Sequence, residues 1–211
     1  PETIGSIVYL SKNLEYLKKN VIAGYVLSCV GDDFDYSIIE SRYANTLSDK
    51  VLSNVLDNYT TYTRYSFLER GSDERQYNAP GVDMPVVGFS RTKYGKYPVY
   101  HTSKDDMDYV SVAGFSGAYD VITKVIDIME NNGYYKVNCL CEPQLGKRGL
   151  YPTISKKGSY DGIMAMRDFI AYADGTNDLL DISRIIKVPA TELIPIKNKL
   201  VENNLMESVN G

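Results

Sequence analysis

Apolar positions near the start of the chain recur every three or four residues. Ile7, Leu10, Leu14 and Leu17 fall on one stripe, which predicts a helix over residues 3–20 with Lys18 and Lys19 in its last turn. Residues 21–30 (VIAGYVLSCV) are mostly apolar and end at Gly31-Asp32-Asp33, the pattern of a strand buried on both faces. Residues 36–41 predict a second strand. Leu47, Val51, Val55 and Tyr59 predict a helix over 47–59. Residues 63–68 and 85–90 read as strands. The clearest helix is 111–132, where Phe115, Tyr119, Ile122, Ile126 and Met129 share one face and Gly133 follows as a cap. Residues 134–141 then return as a strand. Buried strands alternating with amphipathic helices predict a layered α/β domain over residues 1–145.

The pattern changes after that point. Residues 143–152 are turn-rich and charged, so 146–158 is expected to be a linker. Beyond it three short helices are predicted, over 162–172, 181–187 and 190–203, with Leu205 and Met206 opening a strand. This outline predicts a winged helix-turn-helix domain over 159–211.

Composition narrows the function. A formal charge of −4 and a pI near 5.1 argue against a general binder of nucleic acid or anionic membrane. Within 151–211 seven basic residues face eight acidic ones, so the winged helix lacks the cations that phosphate binding requires. No apolar run reaches the ~20 residues that span a bilayer. Three cysteines give no disulfide framework and suit a reducing cytoplasm. Cys139 and Cys141 read as small apolar residues on one face of a buried strand. The chain opens Pro1-Glu2-Thr3 without a methionine or a signal sequence. This start is therefore not expected to be a natural initiation point.

Three segments could carry chemistry. Glu2 stands at the mouth of a helix. Residues 69–77 are dense in charge. His101, the one histidine, lies in Tyr100-His101-Thr102 with Asp105 close behind. Imidazole is a common metal ligand and titrates near neutral pH. One histidine cannot hold a catalytic zinc, which takes about three protein ligands. Each segment also has a plain reading: a dipole partner for the helix, a surface cluster of ion pairs, and a loop histidine.

Together, the strings PETIGSIVYL, GYVLSCVGD, RGSDERQYNAPGVDMPV and YGKYPVYHTSKDD resemble an aminopeptidase-like zinc-hydrolase branch. Its members carry a C-terminal winged helix and are described as polysaccharide-biosynthesis proteins with an aminopeptidase-like domain. The branch is related to bacterial leucyl aminopeptidase-type metallopeptidases. The resemblance covers nearly the whole chain. It implies a three-layer, phosphorylase/hydrolase-like mixed sheet followed by the winged helix. It also implies Glu2 as general base, His101 as a zinc ligand and Asp105 as the group behind that ligand. Ser72-Asp73 with Tyr77 would flank the pocket, and Arg70, Arg75, Gln76 and Arg91 would contact substrate. Thr3 and Ser28 depart from the two-zinc pattern, where carboxylates stand, and the early ligands would lie upstream of Pro1, so the resemblance implies that this chain is the C-terminal part of a longer protein. At most one zinc ion is therefore expected in the longer protein, and none held tightly by this chain alone.

The reaction the resemblance implies is hydrolysis of an amide in a peptide or a small amide-bearing molecule, including a modified sugar. The expected partners are this substrate, the protein's own N-terminal region and a second copy of the chain. The alternatives are a non-catalytic binding protein on a peptidase fold and a winged-helix reader of nucleic acid.

Overall fold

The computed structural model describes residues 2–59, 61–151 and 159–209, leaving undescribed the side chains of Tyr59 and residues 159–161. Pro1, and residues 152–158 of the expected linker, lie outside the described residues. The chain divides into two compact units, 1–125 and 126–211, and the division falls inside one helix.

The first unit is a mixed α/β layer. Helix α1 (Ile4–Asn20) leads to strand β1 (Gly24–Leu27), β2 (Ser37–Ile39), α2 (Leu47–Tyr59), β3 (Thr63–Tyr65), the short α3 (Glu74–Tyr77), β4 (Val86–Ser90) and α4 (Val112–Asn131). The strand order is β1-β4-β2-β3. β4 runs parallel to β1 and antiparallel to β2, and β2 is parallel to β3. All five residues of β4 are buried, as a central strand requires. α1 packs Leu10 and Leu17 against Met84 and Val86, with Leu14, Val26 and Tyr77 around them. α2 buries Val51, Leu52, Val55 and Leu56. Its first turn is fixed by Asp49, which accepts from Thr46 N at 2.9 Å and from Ser41 N at 3.0 Å. Gly88 is required where β4 meets β2, because a Cβ there would come within 2.9 Å of Ile39 Cδ1.

Two expectations change here. β1 is not buried on both faces: among the described residues it pairs only with β4, and Leu27 is 51% exposed. Residues 66–69 leave the strand and coil into a single 3₁₀ turn, Phe67–Glu69.

The second unit holds β5 (Tyr134–Val137), α5 (Ser159–Tyr172), β6 (Asp174–Asp178), α6 (Leu179–Ile186), α7 (Ala190–Glu202) and β7 (Met206–Val209). β5 is the centre of its sheet, antiparallel to both β6 and β7. The sequence places this strand with the first sheet; its backbone partners lie in the second. Asp178 caps α6 by accepting from Asp181 N at 2.8 Å. Lys187 in the left-handed region ends α6, and α7 begins three residues after it at Ala190, giving the tight turn of a helix-turn-helix. Phe169, Leu179, Ile182, Leu193 and Leu200 fill the core. Cys139 and Cys141 are exposed and lie beyond the end of β5, so the expected buried strand stops before them. Among the described residues no helix is long and apolar enough to cross a membrane.

Candidate functional site

The turn over residues 71–75 reaches across to the start of α1, some seventy positions earlier in the chain. Ser72 Oγ donates to Glu2 Oε1 at 2.5 Å. Asp73 Oδ1 accepts from Thr3 N at 2.5 Å and from Ser6 Oγ at 3.0 Å. Arg75 Nη2 donates to Thr3 Oγ1 at 2.8 Å. A helix start carries unpaired N–H groups, and a carboxylate is favoured there. Asp73 therefore acts as a cap for α1 supplied from another loop. Thr3 adopts φ 64°, a region that β-branched residues avoid and that persists only where the surroundings impose it. The contacts to Asp73 and Arg75 are those surroundings, and they fix the direction in which Glu2 leaves the helix.

Glu74 lies underneath. It is fully buried, and its Oε1 accepts from Gly71 N at 2.8 Å, Ser72 N at 3.1 Å and Tyr94 Oη at 2.7 Å. The ring of Tyr94 packs on Gly71, where a Cβ would come within 2.6 Å of it. Burial first, and then donation to Glu74, holds the Tyr94 phenol well above its ordinary range. It stays a neutral donor at physiological pH.

The stretch 97–109 is a succession of turns whose tyrosine rings pack against one another. Tyr97 lies 5.1 Å from Tyr109 and 5.4 Å from Tyr100, centroid to centroid, and Tyr100 stacks on His101 at 4.0 Å. Tyr97 Oη donates to Asp105 Oδ2 at 3.0 Å and to Cys29 Sγ at 3.5 Å. The Tyr100 phenol is raised by burial and then by the charges of Cys29, Glu2 and Asp105. Its ring lies 6.5 Å, centroid to centroid, from that of Tyr94. Cys29 (φ 52°) and His101 (φ 58°) also sit in the left-handed region, so three such non-glycine residues border this part of the unit.

Glu2, Ser72, Asp73 and Arg75 thus come together, and the His101 segment meets them only through the Tyr100 ring, which faces Tyr94. The other expected residues are placed differently. Asp105 bonds Tyr97, where the sequence puts it behind the imidazole. Arg70 is exposed and lies over Phe67 at 4.7 Å. Gln76 is half-buried beside α1's partner Tyr77, which packs in the α1 core. Arg91 is buried: Nε donates to Asp35 O at 2.7 Å, Nη1 to Gly114 O at 3.0 Å, and the guanidinium covers Tyr36 at 3.9 Å. These contacts tie β4 to the loop before β2 and to the first turn of α4. Sequence reasoning assigned no role to Ser6, Tyr94, Tyr97 or Tyr100, and it grouped Glu74 with a surface cluster. The string Ser72-Asp73-Glu74-Arg75 was the available signal.

The donor set can be tested against zinc. Among the described residues no three His, Cys, Asp or Glu side chains gather to hold an ion. His101 is exposed and Asp105 is engaged with Tyr97. The residues described here do not make up a zinc site by themselves.

The fold defines a mixed α/β unit followed by a winged helix-turn-helix unit. Residues 1–132 match the family described as a domain of unknown function, DUF4910, and the chain belongs to it. Residues 133–208 match a winged helix-turn-helix family. A Clostridium acetobutylicum protein named "Putative polysaccharide biosynthesis protein with aminopeptidase-like domain" is 40% identical over 186 residues, 87% of this chain and 42% of that protein. A crystal structure of a "putative peptidase" from Clostridium acetobutylicum matches with a TM-score of 0.88 at 34% identity, over 99% of this chain and 47% of that one. The chain spans less than half the length of either relative. The resemblance to polysaccharide-biosynthesis proteins with an aminopeptidase-like domain holds at this level.

Proposed function

We propose that the first unit is one part of an amide-hydrolysing centre in which Glu2 is the carboxylate that moves the proton. Glu2 would take a proton from the attacking water and return it to the leaving amine. The observation that carries this reading is the set of contacts from Ser72, Asp73 and Arg75 onto residues 2–6. A surface glutamate at a helix start has no need of an anchored hydroxyl, a cap from a distant loop and a strained neighbour. Such supports are what preorganise a reacting group. The relatives' names agree with the reaction class. The substrate would be a peptide or a small amide-bearing molecule, with Arg75, Arg70 and Gln76 nearest as polar contacts. His101 would offer one metal donor, and a zinc ion there would draw its other ligands from outside the described residues.

The rest of a three-layer sheet would pack on the open edge of β1 and the outer face of α1. Ile4, Ile7 and Val8 are 64%, 49% and 50% exposed there, an apolar row that a covering segment would bury. In the winged helix, Lys197 turns inward to Asn131 Oδ1 at 2.7 Å, which leaves few outward cations on α7 for nucleic acid.

A second reading is a binding protein without turnover. It is favoured by Thr3, whose hydroxyl is held by Arg75 where two-zinc relatives carry a carboxylate. The test is hydrolysis of aminoacyl amides by the longer polypeptide and its Glu2→Gln variant. Loss of ~10²-fold or more in kcat, with the melting temperature unchanged, is expected. Turnover within a few-fold of the parent would remove Glu2 from this role. Ligand binding without turnover in either protein would favour the binder.

A further inference from the structure

Glu74 is the least exposed charged side chain in the first unit, and nothing in amide hydrolysis calls for it directly. Its two oxygens are used unequally. Oε1 receives three donors, while Oε2 is buried and has no hydrogen-bond partner among the described residues. A buried carboxylate with one idle oxygen is costly unless the other oxygen does something that an apolar side chain could not.

What it does is set the turn. By gathering the N–H groups of Gly71 and Ser72, it bends the backbone so that the Ser72 side chain leaves toward Glu2. By accepting from Tyr94 Oη, it pins the ring that packs on Gly71. Tyr94 Oη in turn lies 3.3 Å from Ser72 N, so the serine amide is held from two sides. The path is short: Glu74 fixes Ser72, and Ser72 Oγ fixes Glu2 Oε1.

We infer that Glu74 is a positioning residue that acts on Glu2 through Ser72, and that it acts as an acceptor rather than as a charge. The inference deepens the hydrolase reading and, for its effect on turnover, rests on it. It predicts a particular inequality between two substitutions. Glu74→Gln keeps one oxygen for Gly71, Ser72 and Tyr94 and places an amide nitrogen where Oε2 accepts nothing. Glu74→Met keeps the volume and removes the acceptor.

Amide hydrogen exchange gives the first readout and requires no activity. In Glu74→Met the Gly71 and Ser72 amides should exchange ~10-fold faster or more, since each loses a buried acceptor. In Glu74→Gln they should exchange within about threefold of the parent. Amides in α2 should be unaffected in both, which separates a local change from general unfolding. Equal acceleration in the two variants, or none in either, would overturn the inference whatever the protein catalyses.

Turnover gives the second readout. Glu74→Met should lower kcat with little change in KM, and it should have no further effect in a Ser72→Ala background, because the two act along one path. Additive losses would mean that Glu74 acts by another route. If the exchange results hold and the parent protein hydrolyses no amide, the hydrolase reading fails and the turn-setting role of Glu74 stands.

Discussion

The 71–75 turn reaches Glu2 through hydrogen bonds, and the 97–109 stretch reaches Tyr94, which supports that turn, through rings. In the first, each contact has a donor, an acceptor and a direction: Ser72 to Glu2, Thr3 and Ser6 to Asp73, Gly71 and Ser72 to Glu74. In the second, tyrosine rings lean on one another at 5.1–5.4 Å, and the hydroxyl bonds are few. Directional bonds hold an atom to within a few tenths of an ångström, whereas ring contacts tolerate sliding. Under the proposed hydrolase reading, the reacting carboxylate would stand on the rigid side and the substrate-facing surface on the adaptable one.

The comparison can be broken by substitutions on either side. The largest effect is expected from Gly71→Ala, whose added methyl meets the Tyr94 ring at 2.6 Å. It should cost about 1–3 kcal/mol in denaturant unfolding and displace Tyr94 from Glu74. An unchanged midpoint would show that the ring moves freely and that this side is not rigid. Asp73→Ala comes next. It removes the cap from α1, so about 1–2 kcal/mol and a drop of about 3–6 °C in melting temperature should follow. A smaller loss than that of an ordinary surface substitution would mean that solvent replaces the carboxylate. On the aromatic side, Tyr97→Phe keeps every ring contact and loses the hydroxyl shared between Asp105 and Cys29, for about 0.5–1.5 kcal/mol. A loss as large as that of Gly71→Ala would erase the contrast.

pH sharpens the picture further. Tyr94, Tyr97, Tyr100 and Tyr109 are all raised above the ordinary value of 10.0, in each case by burial first. The folded chain therefore keeps these protons where the unfolded chain releases them. Their contribution is fully present below about pH 10 and is lost as pH rises beyond it. Ultraviolet titration should show tyrosines that ionise only as the protein unfolds. Four phenols titrating normally near pH 10 in the folded state would contradict the burial described here.

Much of the fold was legible in the sequence because helices announce themselves locally. α1, α2 and α4 follow from apolar residues three and four apart, whereas the cap of α1, Asp73, comes from a distant loop. The misplaced pieces depend on distant partners. β5 has the pattern of any short strand, and only its bonds to β6 and β7 assign it to the second unit. β6 (Asp174-Gly175-Thr176-Asn177-Asp178) has no apolar alternation, so backbone pairing alone makes it a strand. Residues 138–141 turn away at the left-handed Cys141, which strand propensity does not foresee. At the site, Glu2 and Ser72-Asp73 were legible through the family resemblance. Glu74 was not, because a glutamate between aspartate and arginine reads as surface, and its burial comes from Gly71, Ser72 and Tyr94 closing over it. Arg91 reads as a substrate contact for the converse reason: its partners are carbonyls, which leave no trace in sequence.

The most direct test of Glu2 as the proton-moving carboxylate is a crystal structure of the longer polypeptide with a non-hydrolysable aminoacyl analogue. The reacting centre should lie about 2.6–3.2 Å from Glu2, or one water away, with Ser72 Oγ still on Oε1. An analogue bound elsewhere, or a Glu2 side chain turned out to solvent with Ser72 unpaired, would contradict it.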